Sequence, residues 1–175
     1  QLRADLAPSR LRVGRFFTHR IVRRLPAEVL LDAINQVAGV EESFAGTPPK
    51  TRAIALPDPT VTSDFLTTFG RPQRNSTCEC ARESSPDLLQ ALHLINNAAL
   101  QGKIASPQGR VAKLLAAGAG DEALADELYL AALAGPPSPE ELAVTKELTA
   151  TSAAAERQQV WEVVLWSLLN SPEFA

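Results

Sequence analysis

Methionine is absent from the 175 residues, and cysteine occurs only twice. A complete translation product needs an initiator, so a chain opening on Gln1 is expected to come from processing or from a longer protein. No signal peptide is visible, and in a fragment that says nothing of destination. Aromatic residues make up 5% of the chain, so Leu, Ala and Val must fill most of an interior. No apolar run approaches the roughly 20 residues that a membrane-spanning helix needs. The best candidate, Val160 to Leu169, is too short and carries Glu162. A Cys-x-x-Cys-His run is missing, which excludes covalent c-type haem in this chain. With two histidines and no nucleophile motif, a Ser-His-Asp arrangement cannot be assembled. Ala117 to Asp121 holds glycines before a helix, but it lacks the Gly-Lys-Ser/Thr ending of a phosphate loop. It reads as a helix stop followed by a cap. The net charge of −3 argues against a general nucleic-acid binder.

What is present favours a folded, helical chain. Hydrophobic residues make up 45% and charged residues 21%, the balance of an ordinary globular core. The charge is unevenly spread. Arg3, Arg10, Arg12, Arg15, Arg20, Arg23 and Arg24 crowd the start against Asp5 alone. Residues 1–25 are therefore expected to form a basic, extended arm, and residues 26–175 a helical domain. Such an arm suits an acidic surface elsewhere in the parent protein, with Arg15, Arg20, Arg23 and Arg24 as partner contacts.

Periodicity and punctuation place the helices. Pro26 suits a first turn, and Val29, Leu30, Ala33, Ile34 and Val37 recur at helical spacing up to a cap at Gly39. Between residues 40 and 85, prolines and glycines break any long element. Arg52 to Leu56 alternates weakly, as a short strand would, and Thr62 to Phe69 is expected to hold one or two helical turns. Ser85-Pro86-Asp87 opens a helix whose inner face is Leu88, Leu92, Ile95 and Ala99. Further helices are expected over Gln108 to Ala116, from Asp121 to the stop at Gly135-Pro136-Pro137, and after the capping box Ser138-Pro139-Glu140-Glu141. The last, Ala154 to Asn170, is apolar nearly all round, as a helix central to a bundle is. The fold class expected is all-α: an irregular helical bundle with a Pro-rich, mostly irregular insertion.

Candidate chemistry is thin. Cys78 and Cys80, one residue apart, suit a soft metal, a strained small-ring disulfide or two packed free thiols. His93 would add a metal ligand if the helix after Ser85 folds back on the loop, and Glu79 or Asp87 would complete the set. Alternatively, His93 between Leu92 and Leu94 is a core or boundary residue. Arg82 would supply the electropositive surroundings that a reactive thiol needs. Trp161, Trp166 and Tyr129 sit on helices, where core packing is the plainer role than sugar stacking. Glu122, Glu127, Glu140 and Glu141 suit solvated faces and helix dipoles rather than a catalytic carboxylate pair.

Several stretches, in order, resemble one family. They are Arg23-Arg24-Leu25-Pro26-Ala27-Glu28-Val29-Leu30-Leu31-Asp32-Ala33-Ile34, Arg52-Ala53 through Leu56-Pro57, Phe65-Leu66 through Phe69-Gly70-Arg71-Pro72, and Cys78-Glu79-Cys80-Ala81-Arg82. Gln90-Ala91-Leu92-His93-Leu94-Ile95-Asn96, Glu127-Leu128-Tyr129-Leu130-Ala131-Ala132-Leu133 and Asn170-Ser171-Pro172-Glu173-Phe174 continue the series. Together they resemble the C-terminal half of a planctomycete-type family, the domain of unknown function 1553 (PSD1-like), from about residue 20 to the end. The resemblance implies a large exported protein, hence a periplasmic or extracellular setting. It also implies a second domain of unknown function and, often, a cytochrome-c-like or carbohydrate-binding module. It brings no assigned catalytic residue and no cofactor. The expectation is a non-catalytic structural or interaction domain, completed by a missing N-terminal portion or a partner chain. The alternatives are a metal- or thiol-based redox accessory domain on Cys78, Cys80 and His93, and carbohydrate binding through residues 40 to 85.

Overall fold

The computed structural model describes residues 25–57, 61, 63–71, 90, 95, 97–153 and 156–174. Among them the regular structure is helical and no strand occurs, so the fold is all-α. Helix α1 (Ala27–Ala38) follows Pro26, whose carbonyl accepts the Leu30 amide at 2.8 Å. Leu30, Leu31, Ile34 and Val37 are all buried, one face of the helix turned wholly to the core. The helix stops where Gly39 turns left-handed (φ 71°) and the Val40 amide reaches back to the Asn35 carbonyl at 3.1 Å. A Cβ at Gly39 would also stand 3.0 Å from the Arg110 backbone nitrogen, so the glycine permits the chain to turn and a neighbouring helix to approach.

The short strand expected over Arg52 to Leu56 is not formed. Ala53–Ala55 is a single 3-10 turn. The cause is Asp32 on α1, whose carboxylate accepts the amides of Ala53 at 2.7 Å and Ile54 at 3.2 Å. Those two donors would otherwise serve a sheet ladder. Helix α2 (Asp64–Thr68) is the turn expected near Phe65. Ser63 caps it, Leu66 and Phe69 are buried, and the Phe65 and Phe69 rings stack with centroids 4.3 Å apart.

Of the helix expected after Ser85, its start and the inward residues Leu88 and Leu92 lie outside the described residues. Ile95 is exposed at 42%, and Ala99 is exposed too. Asn97 starts a new helix, α3 (Ala98–Ile104), by accepting the amides of Ala99 at 2.7 Å and Leu100 at 3.1 Å. That restart turns Leu100 and Ile104 inward instead. Helix α4 (Arg110–Ala116) and helix α5 (Asp121–Leu133) follow, the second burying Leu124, Ala125, Leu128 and Tyr129. It ends one residue before the expected Gly135, with Ala134 taking the left-handed position (φ 55°). Helix α6 (Pro139–Thr151) carries the expected capping box in full: Ser138 accepts the Glu141 amide, and Glu141 accepts the Ser138 amide.

Helix α7 (Arg157–Leu169) organises the second half, packing against α3, α4, α5 and α6. Trp161, Leu165 and Leu169 are fully buried along it. Its near-continuous apolar surface is what lets one helix meet four others. Helix α1 packs on the 3-10 turn and α2, and also on α3, α4 and α5, so the interior is one continuous cluster from Leu30 to Phe174. No helix of the described residues is long and apolar enough to cross a membrane.

Candidate functional site

Two concavities of the described surface differ in chemistry. The first is a polar cleft of about 410 Å³ between the end of α1 and the loop that follows it. Asp32, Asn35, Glu41, Glu42, Lys50 and Arg52 line it. Their charges are already matched. Arg52 Nε stands 3.4 Å from Asp32, and Lys50 Nζ lies 3.0 Å from Glu41. Lys103 reaches in from α3, donating to Glu42 at 2.7 Å and to the Asn35 side-chain oxygen Oδ1 at 2.6 Å. Each carboxylate lining the cleft has a cationic neighbour. These groups pin loop to helix. Lys50 does so from a left-handed backbone (φ 65°), which costs a non-glycine residue strain.

Arg110 performs a similar task beside the cleft. Its guanidinium donates to the carbonyls of Val37 at 2.8 Å and Gln36 at 3.0 Å, two open acceptors at the end of α1. It pairs with Glu127 on α5 as well. One side chain thus caps α1, complements its dipole and ties α4 to α5. At the opposite end, Arg157 grips Asp121 at 2.7 Å and the Ala119 carbonyl at 3.0 Å. The Arg157 hydrogen bond holds the Asp121 carboxyl below the usual carboxylate range, against partial burial, with help from its charge, the Thr149 hydroxyl and the Trp161 indole. The Trp161 N–H makes no hydrogen bond of normal geometry, but its dipole still favours the anion.

The second concavity is an apolar groove of about 310 Å³ between α6 and α7. Tyr129, Val164 and Leu168 form its floor, and Val144, Leu148 and Val163 its walls. The wall residues are 58%, 45% and 53% exposed, unlike the floor. Glu140 and Glu141 flank it. Helix α6 fully buries only Thr145, Leu142 packs partly on the core, and Val144 and Leu148 line this trough.

The residues singled out from sequence for chemistry are Cys78, Cys80 and His93, with Arg82. All lie outside the described residues, as do the proposed arm contacts Arg15, Arg20, Arg23 and Arg24. Among the described residues no three His, Cys, Asp or Glu side chains gather as a metal site. In sequence the groove residues read as packing or solvated-face residues: Leu148 continues a helical stripe with Leu142 and Thr145, yet in the fold it is 45% exposed.

Residues 12–149 match the model of the PSD1 family, a protein of unknown function (DUF1553). The chain belongs to that family. The match begins before residue 20, where the motif resemblance starts, and closes inside α6, ahead of Asn170 to Phe174. It thus takes in the polar cleft and half of the groove of this PSD1 domain, with α7 beyond it. No curated protein and no solved structure matches the chain.

Proposed function

We propose that this PSD1 domain is a non-catalytic structural or interaction domain of a larger exported protein. Its working surface is the α6–α7 groove, which receives another segment of the parent protein or a partner chain. The observation that carries this reading is the exposure of Val144, Leu148 and Val163 over an apolar floor. A grouped apolar surface beside a well-filled core marks an interaction site more often than a packing fault. The matched charges of the polar cleft point the same way, toward holding shape.

The test is the double variant Val144→Glu, Leu148→Glu in the native protein. Exposed sites tolerate such changes within about 0.5 kcal/mol, so the unfolding midpoint should hold while chemical cross-linking of the groove to its partner segment disappears. If the native protein shows no cross-link at the groove in the first place, the interaction role has no basis.

A second reading is carbohydrate binding, favoured by the polar cleft that α1 forms with residues 40–52 of the segment 40 to 85. Asn35, Gln36 and Arg52 offer planar hydrogen-bonding groups, though no aromatic platform lines the cleft with them. A glycan array without a hit would remove it. The redox alternative stands on Cys78, Cys80 and His93. Elemental and thiol analysis of native protein, with and without Cys78→Ser, decides it.

A further inference from the structure

We infer that the polar cleft between α1 and the loop after it is a binding site for a small monocarboxylate ligand. The inference goes beyond the groove reading and does not depend on it. One wall of the cleft is already fixed. Lys103 holds Asn35 and Glu42, and the buried Asp32 holds the amides of Ala53 and Ile54. Those groups are committed to the fold, so the wall is preorganised. The cations at the mouth are committed far less. Arg52 meets Asp32 through Nε alone, and its two terminal amino groups have no acceptor among the described residues. That leaves the end-on edge of the guanidinium, the fork whose spacing matches the two oxygens of a carboxylate. Lys50 pairs only with Glu41 among the described residues, and the two side chains are 74% and 61% exposed. An exposed pair of that kind contributes little, so a ligand carboxylate can take the place of Glu41 beside Lys50.

Backbone and charge support the same reading. Lys50 takes a left-handed φ of 65°, a strained conformation for a residue with a side chain, and such strain gathers where a ligand is held. The side-chain amide of Gln36 also lines the cleft and makes no hydrogen bond to the described residues, so it has both a donor and an acceptor to offer. The volume of about 410 Å³ suits a small molecule. Charge sets the class. Asp32, Glu41 and Glu42 stand against Lys50, Arg52 and Lys103, which leaves the cleft close to neutral. A phosphate dianion would meet all three carboxylates there, whereas a monocarboxylate brings a single charge to the two cations at the mouth.

The experiment titrates the isotope-labelled 175-residue chain with L-lactate, D-glucuronate, D-glucose and inorganic phosphate, following the backbone amides and the Arg52 Nε–H by NMR. The expected result is a saturable shift at Lys50, Thr51 and Arg52 with a monocarboxylate and none with glucose. A response to lactate shows the carboxylate recognised by itself, and a response to glucuronate alone shows it recognised on a sugar ring. Arg52→Lys keeps the charge and loses the fork, and should raise Kd roughly three- to tenfold. Lys50→Gly should raise it roughly two- to fivefold. That second variant should not lower the unfolding midpoint, because glycine takes a φ of 65° freely. No saturable shift with either carboxylate, tighter binding of phosphate, or an affinity that neither variant changes overturns the inference. Glucose binding as tightly as glucuronate also overturns it and leaves the carbohydrate reading standing. The groove cross-link tests the interaction reading separately.

Discussion

Asp32 shows how one residue can decide local structure. In sequence it is an acid on the helix that begins at Ala27, with nothing to mark it as a capping group. In the fold it is 8% exposed and holds the amides of Ala53 and Ile54, some twenty positions on. Asp32→Ala should cost about 2–4 kcal/mol, because buried donors left unsatisfied carry the full desolvation penalty. Asp32→Asn keeps an acceptor and should lose about half as much. Urea unfolding of the two variants measures both, and equal losses would show that the carboxylate does not act as the cap. Asp121 gives a pH test. Its native pKa lies below the unfolded value, so its contribution is complete above about pH 5 and fades as pH falls through the native pKa. The side chain is 37% exposed, so screening keeps the effect well under about 1 kcal/mol. Asp121→Asn should accordingly flatten the decline in stability between about pH 5 and pH 3, read from denaturant midpoints. An unchanged slope would place that acid dependence on other carboxylates.

At the scale of elements, helix starts were legible and helix faces less so. The Ser138 capping box, the Pro26 turn and the Gly39 stop are local chemistry, and each stands where the sequence puts it. The helix after Ser85 shows the limit. Leu88 and Leu92 of the expected stripe lie outside the described residues, but Asn97 captures two amides and opens α3, and Ile95 and Ala99 are exposed. Side-chain capture of the backbone competes with periodicity, and periodicity alone does not reveal which wins. Helix α6 is the weakest element by burial, since Thr145 is its one buried residue. Its amides should exchange with solvent faster than those of α1, α5 and α7, through an opening smaller than global unfolding. Ser138→Ala should widen that gap by about 1 kcal/mol, measured by native-state hydrogen exchange. Equal protection of α6 and α7 would mean that the two open as one unit.

For the whole molecule, the all-α class, the central α7 and the family membership follow from residue order. They depend on propensity, periodicity and local caps, which short stretches carry by themselves. The candidate surfaces do not follow in that way. The polar cleft needs Lys103 on α3 brought to Glu42 and Asn35, and Arg110 brought to the end of α1. The groove needs α6 laid beside α7 so that Val144 and Val163 face one trough. Whether an aliphatic residue is core or exposed wall depends on which neighbour covers it, and residues far apart in the chain set that cover. Sequence by itself determined the helical class and the local stops and caps at Pro26, Gly39 and Ser138. Only tertiary packing decided which apolar side chains were left at the surface, because burial is a property of the assembled helices and not of any one of them.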